Sequence, residues 1–366
     1  MGSVGSTKTT KAQRRLAEAV RGSLVADAAC MGLHWIYDHK KLEELVKDHV
    51  AAPEFHEPPS CPFYNSNDFP GHYASGMPSP YGEEGLALID YMSEKNGNFE
   101  SGEDFAKSLF EWAQNYKGRK NHATKAFEEN VLQLEKDGAD AWYPACGADD
   151  AEANAFWKSV IVTARYADSP ECKEKVEQAI RTHQNHEQSV EYGLALSKML
   201  LAAANGKDLR AAIKEGALGD LSQQVIDKAE ASAIESAADD GTEKVVSFVT
   251  AYSNELFADG EPDMFRNVKA NSCGFPQSFV VGLKLCLDTE VVAAEREEGF
   301  DKFAYALRRN MLTGGDTCGR IPIIAGLMAA AGASVPTEWV GKTECIKTVD
   351  TYLEKVAKAV SKSSKV

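Results

Sequence analysis

The chain has 366 residues, 43% hydrophobic and 26% charged, with a formal net charge of -15. This length and apolar content can bury a substantial core, while the acidic balance repels phosphate backbones and anionic lipid surfaces, which argues against nucleic-acid and membrane-surface partners. The 8 cysteines include no C-x-x-C pair and no histidine at zinc-finger spacing, so reduced intracellular thiols are expected and a structural zinc site is not.

The N-terminal MGSVGSTKTTKAQRR has no apolar h-region and reads as a flexible tail over 1–12, although Gly2 and Ser6 fit the loose myristoylation pattern. Helical signals dominate from there. In 10–33, Leu16, Val20 and Leu24 recur at i, i+4 and i+8, with Arg14, Arg15, Glu18 and Arg21 elsewhere on the wheel. Similar patterns cover 39–50, 82–95, 101–116, 122–136, 150–167, 170–182, 187–204, 207–235, 240–257, 276–288, 299–311, 317–333 and 343–361. Their ends carry helix punctuation: Ser169-Pro170 opens one, Asn205-Gly206 closes another, and Pro336 follows a third. No run of alternating strands is present, so the expected fold is all-α, one domain over 13–361 with a tail at 362–366.

Residues 51–80 depart from this pattern, holding seven of the 13 prolines. They read as a loop, of the kind that serves as a lid, a binding loop or a surface excursion. The longest apolar run, Ile321 to Val335, is about 15 residues and is interrupted by Pro322, two glycines and Ser334. A membrane crossing needs about 20, so this run is expected to be a buried helix and the protein to be cytoplasmic.

Several constellations could carry chemistry. Asp27 lies at i+11 from Leu16, on the same helical face as Leu16, Val20 and Leu24. A carboxylate there needs a hydrogen-bond partner, a metal or a cavity. His34, opening HWIYD, is either a neutral core histidine or a catalytic one. In SPYGEEGLALIDYM, Tyr81, Glu84, Leu88 and Met92 share one stripe, which draws Glu84 inward; Glu83 and Glu84 also sit in a first helical turn, where carboxylates suit the dipole. In TGGDTCGRIP, two glycines deliver Asp316 and Thr317 to a helix start. That arrangement allows either simple capping or close approach of a phosphate, with Arg320 as a further anion contact. Asn271 and Ser272 in ANSCGFPQS form either a second phosphate cradle or an ordinary N-cap. His183 and His186 have no third ligand at metal spacing and read as N-terminal caps. No P-loop, dinucleotide glycine motif, H-E-x-x-H helix or nucleophile elbow occurs.

In order and spacing, GSLVADAACMGLHW, YGEEGLAL after the Pro-rich loop, RTHQNHEQSVEYGLALS, and GGDTCGRIPIIAGLMAAAG with VPTEW resemble the ADP-ribosylglycohydrolase family, over about residues 15–341. The versions HWIYD, NSCG and GGDTC are similar to the branch of J-type lens crystallins and selenoprotein J-like proteins. The resemblance implies a single large orthogonal helical bundle and, for active members, two magnesium ions used to remove ADP-ribose from a modified side chain. Residue by residue, Asp27 matches the aspartate of an early Gly-Asp-Ala block, and His34 falls where an acid is expected. The Thr-Asp-Asp-Thr metal motif aligns with Gly82, Glu83, Glu84 and Gly85. In the C-terminal Asp-Thr-Asp-Thr, Asp316 and Thr317 match while Cys318 and Gly319 replace the second pair, and magnesium gains little from a thiol.

The resemblance with these departures implies a structural eye-lens crystallin, catalytically silent, whose vestigial metal residues Glu83, Glu84 and Asp316 would hold one magnesium ion at most. Asp27, His34, Tyr81, Asn271, Ser272, Thr317, Cys318 and Arg320 would line the old pocket. The alternatives are a hydrolase of ADP-ribosyl conjugates in which Glu83 or Glu84 activates water, and a non-catalytic binder of ADP-ribose or another small nucleotide.

Overall fold

The computed structural model describes residues 10–57, 59–64, 68–216 and 272–363. Asn271 and the helical patterns beyond Gly216, including 240–257, lie outside the described residues.

The described chain is a helical bundle of fourteen α-helices, with three isolated β-bridges and no strand among the described residues. In chain order these are α1 (Lys11–Cys30), followed by a 3-10 turn at Met31–Leu33, α2 (His39–Val46), α3 (Pro80–Glu94), α4 (Gly102–Asn115), α5 (His122–Lys136), α6 (Ala155–Tyr166) and α7 (Cys172–His183). The remainder are α8 (Glu187–Ala204), α9 (Leu209–Gly216), α10 (Gln277–Ala294), α11 (Lys302–Thr313), α12 (Ile321–Ala331), α13 (Thr337–Lys342) and α14 (Ile346–Ser363).

The first helix is set by a capping box: the Thr10 hydroxyl accepts from the Gln13 N–H, and the Gln13 side chain accepts from the Thr10 N–H. Its second half, Gly22 to Cys30, is buried throughout. It packs along α12, which is apolar on every side and buried from Ile321 to Ala330, as expected of a helix enclosed by others. Pro322 lies in the first turn of α12, and Gly332 ends it with φ 108, a conformation that favours glycine. Helices α6 and α8 pack on both central helices, α10 and α11 flank α12, and α3 and α14 close the side formed by α1 and α6.

The helix expected over 317–333 is shorter than its sequence pattern. Residues 317–320 form a turn and α12 begins at Ile321. The reason is non-local: Gly315 pairs with Ile36, its N–H donating to the Ile36 carbonyl at 2.8 Å while its own carbonyl accepts from the Trp35 N–H at 2.7 Å. The pattern over 150–167 likewise starts as a helix only at Ala155.

The Pro-rich loop is bonded to the body. The Phe55 N–H donates to the Ala29 carbonyl, the Ser60 N–H to the Gly32 carbonyl and the Tyr64 hydroxyl to the Met31 carbonyl, all within 2.9 Å. Gly32 permits this contact, because a Cβ there would lie 2.2 Å from the His56 carbonyl oxygen. All eight cysteines are free; Cys30, Cys61, Cys146, Cys172, Cys286 and Cys318 are buried, and Cys273 and Cys345 are partly so. Among the described residues no helix is long and apolar enough to cross a membrane.

Candidate functional site

Three segments meet where the sequence motifs lie: the end of α1, the start of α3 and the turn into α12. Asp27 is fully buried on α1. Its Oδ2 accepts from the Ser79 N–H at 2.7 Å and its Oδ1 from the Ser79 hydroxyl at 2.6 Å. The same hydroxyl oxygen caps α3 by accepting from the Gly82 N–H. Space is closed on the remaining side, since a Cβ on Gly82 would lie 2.1 Å from Asp27 Oδ2. Burial, opposed by the Ser79 bonds, pushes the Asp27 carboxyl up to about 7.

Glu84, one turn into α3, points into the bundle and is 2% exposed. Its Oε1 accepts from Asn121 Nδ2 at 2.5 Å and the Thr124 hydroxyl at 2.6 Å; its Oε2 accepts from Asn154 Nδ2 at 2.7 Å. Lys158 Nζ lies 3.6 Å from Oε2 and 2.8 Å from His183 Nδ1. An ammonium only donates, so His183 Nδ1 is an acceptor and the proton of the neutral ring sits on Nε2. That Nε2 lies 3.1 Å from Thr124 Oγ1, whose own proton is committed to Glu84. The donors therefore run in one sense, from Lys158 to His183 to Thr124 to Glu84. Burial, then the neighbouring Lys158 charge, keeps the His183 pKa well below its ordinary value. Burial also lowers that of Lys158, with Glu84 opposing.

Glu83 faces the other way, to the rim. His72 Nε2 lies 2.8 Å from its Oε1, the Tyr116 hydroxyl donates to its Oε2, and Tyr73 is also within reach. The bond to Glu83 raises the His72 pKa. Adjacent glutamates thus serve separate surroundings, as successive helical positions point about 100° apart.

At the turn into α12, Asp316 is fully buried. Its Oδ1 accepts from Trp35 Nε1 at 3.0 Å, and its Oδ2 has no hydrogen-bond partner among the described residues. A Cβ on Gly319 would lie 1.9 Å from Oδ2, so glycine there is what leaves the carboxylate its place. Burial, partly offset by Arg320, pushes Asp316 up to about 7. Trp35 covers this carboxylate from a left-handed backbone, φ 59, stacked on His34 at 4.4 Å between ring centroids and edge-on to Tyr81 at 5.9 Å. The Arg119 guanidinium lies over the Trp35 and Phe63 rings at 5.7 and 5.2 Å.

His34 is fully buried; its Nδ1 accepts from the Cys318 N–H at 3.2 Å and lies 3.4 Å from Thr317 Oγ1. The proton of its neutral ring is therefore on Nε2, 3.9 Å from Asp316 Oδ1. Burial, then Arg320, holds its pKa well below the ordinary value.

Arg320 is turned inward, donating through Nε to Asn310 Oδ1 at 2.8 Å and through Nη2 to the Gly314 carbonyl at 2.7 Å. Cys318 Sγ lies 3.8 Å from the Asp27 carbonyl, and burial raises its pKa well above the ordinary thiol. Neither Asp316 nor Thr317 caps α12, whose N-cap is Arg320 with no side-chain bond. Gly314 and Gly315, with φ 74 and 63, serve the pairing with Ile36.

The fold thus gathers Asp27, His34, Tyr81, Asp316, Thr317, Cys318 and Arg320, and it separates Glu83 from Glu84. Among the described residues no group of three or more His, Cys, Asp and Glu side chains is arranged to hold a metal ion. Ser272 accepts from the Gly274 N–H at 3.2 Å through its hydroxyl and does not cap α10, whose N-cap is Pro276. His186 caps α8, its Nδ1 accepting from the Gln188 N–H, whereas His183 ends α7 and belongs to the Glu84 network.

Sequence reasoning missed Ser79, Asn121, Thr124, Asn154, Lys158 and the Trp35 cover. The available signals were a lone lysine in the apolar run FWKSVIV and the capping pattern NHAT. Also missed was Glu152, whose carboxyl is raised by burial and then by Asp150, and which accepts from Cys273 Sγ at 3.1 Å.

The ADP-ribosylglycohydrolase family model matches residues 8–365. The chain belongs to the ADP-ribosylglycohydrolase family. Within it, the chain is 24% identical to Crystallin J1A of Tripedalia cystophora over 369 residues, covering 96% of this chain and 99% of that one. It is 26% identical to Crystallin J1B of the same organism over 200 residues, 51% of this chain and 57% of the relative. A solved structure described as an ADP-ribosylglycohydrolase-related protein complex superposes with TM-score 0.56 at 14% identity, covering 95% of this chain and 99% of the other. At that identity it bears on the fold alone.

Proposed function

We propose that this protein is a structural member of the family, an eye-lens crystallin of the J type held in the cytoplasm, in which the ancestral hydrolase site has become part of the packing. The observation that carries the reading is the engagement of Glu84: both oxygens are taken by Asn121, Thr124 and Asn154, with Lys158 at 3.6 Å. Magnesium demands near-octahedral oxygen ligands that are free to coordinate. Asp27, clamped by Ser79 and Gly82, and Asp316, wedged on Gly319 beneath Trp35, support the same reading. These acids do not fit the two-ion arrangement the family resemblance implies. Without a pair of ions, an ADP-ribosyl leaving group loses its charge stabilisation, several kcal/mol and thousands-fold or more in rate.

The names of the two Tripedalia relatives support the crystallin role. A net charge of -15 suits a protein kept dispersed at high concentration. The test is calorimetric titration of EDTA-stripped protein with magnesium and then ADP-ribose, with hydrolysis of an ADP-ribosylated peptide followed on the same sample. Silence throughout is expected. Magnesium binding with turnover would overturn the proposal in favour of a rearranged hydrolase working from Glu83, the acid at the rim. Saturable ADP-ribose binding without turnover would make the protein a binder.

A further inference from the structure

Glu84 poses a charge problem that the structural reading does not itself resolve. A carboxylate that is 2% exposed needs a compensating positive charge as well as hydrogen bonds. Of the basic groups within 4 Å among the described residues, His183 lies 3.8 Å from Oε2 with its Nδ1 2.8 Å from Lys158 Nζ, so the two are not both cations, and the imidazole is by far the weaker base. The other is Lys158, 1% exposed and 3.6 Å from Oε2.

The position of Lys158 is built. It sits one turn after Asn154 on α6, so residues i and i+4 of one helix present an amide and an ammonium to the same oxygen. Its hydrogen bond, to His183, feeds through Thr124 back to the other Glu84 oxygen. The ammonium thus reaches the carboxylate directly and through a two-residue bridge. Such a ring fixes α3, α5, α6 and the end of α7 to one another, which is structural work that an ion bound between carboxylates performs in a metalloprotein.

We infer that Lys158 is a built-in cation, its ammonium standing where an exchangeable ion would otherwise neutralise the acid at position 84. The inference extends the structural reading. It predicts that the protein carries its own counter-charge, and that removing the side chain leaves a site for a small organic ammonium.

The experiment is thermal unfolding of the full chain, wild type and Lys158→Ala, in matched ionic strength with n-propylammonium chloride, n-propanol or neither. Truncation should lower Tm by about 5 °C. Propylammonium should recover at least half of that loss with saturation, propanol should recover little, and the wild type should respond to neither. Equal recovery by the alcohol would show that volume and not charge is missing, and absence of any loss or of any recovery would overturn the inference as well.

Should Lys158→Ala fail to fold, Lys158→Met and the pair Glu84→Gln with Lys158→Met decide the matter. The double variant should be more stable than Lys158→Met alone, because it removes both charges, and a double variant that is less stable contradicts the assignment. These readouts are independent of turnover by the wild type, so failure here and failure of the structural reading are separate results.

Discussion

Adding a single methyl group at Gly82 tests the local design most directly. In an ordinary helix, Gly→Ala stabilises by about 1 kcal/mol. Here the new Cβ would stand 2.1 Å from Asp27 Oδ2, 2.8 Å from its Cγ and 3.0 Å from Pro78 Cβ. The carboxyl must move, and moving it breaks the bonds from the Ser79 N–H and hydroxyl at 2.7 and 2.6 Å. Hydrogen bonds to a charged group contribute roughly 1.5–3 kcal/mol each, and overpacking adds about 1–3. The Ser79 cap on α3 is disturbed at the same time, worth about 1. Partial relaxation and the helix-propensity gain offset part of the sum, leaving a net loss on the order of 3 kcal/mol. Urea unfolding followed by far-UV circular dichroism reads it, with Gly341→Ala as the control: that glycine lies in α13 with no atom within 4 Å of an added Cβ and should be neutral or slightly stabilised. A Gly82→Ala protein as stable as the wild type would refute the wedged-carboxylate account.

At Trp35, where φ is 59, both Trp35→Ala and Trp35→Gly lose the indole, but only glycine suits the left-handed backbone, so the glycine variant should be the more stable by about 1 kcal/mol; the reverse order in urea titrations would remove backbone strain from the description. Asp316, pushed up to about 7 from 3.8, binds a proton more tightly folded than unfolded. Its contribution is present below pH 3.8 and lost as pH rises through about 7, so Asp316→Asn should hold its stability better than the wild type between pH 5 and pH 8, by up to a few kcal/mol; parallel pH profiles would refute this. His183 has the opposite sign, its folded pKa lying below the ordinary value of 6.5. Its contribution is present above that value and lost as pH falls below it, and His183→Gln should therefore flatten the acid limb of the stability profile measured from pH 7.5 to 5.

Local periodicity made much of the architecture legible. Thr10 with Gln13, Ser79 before Pro80, Ser101 and Asn121 each cap a helix that begins within a residue or two of its sequence pattern. The inward direction of Asp27 and Glu84 was likewise readable from i+11 and i+4 spacing. Their partners were not, because Ser79 lies 52 residues from Asp27 and Asn154 lies 70 from Glu84, and a helical stripe says that a residue is inside without saying what lies opposite. The glycine pair at 314 and 315 shows the same limit: its sequence admits close approach of a phosphate or a simple helix cap, and pairing with Ile36, far away in the chain, determines the conformation. Of the three glycines in 82–85 and 316–319, Gly82 and Gly319 each leave space that a carboxylate oxygen fills, from Asp27 and Asp316, whereas Gly85 makes room for the Trp157 ring, and none of these neighbours is readable from the local sequence.

The placement of the sulfur atoms has a consequence for ageing. Thiol–disulfide exchange and oxidation proceed through an accessible thiolate. Six of the eight cysteines are buried, and burial raises Cys61 to about 11, Cys146 to about 12, and Cys30 and Cys318 well above the ordinary thiol. The two partly exposed thiols are also raised, with Cys345 at about 12 and Cys273 higher. In a crowded solution where molecules collide for long periods without replacement, covalent cross-linking scales with the fraction of reactive sulfur each surface offers. Of the eight thiols only Cys273 and Cys345 reach the surface, each in part, so the fold keeps most of the sulfur out of such exchange.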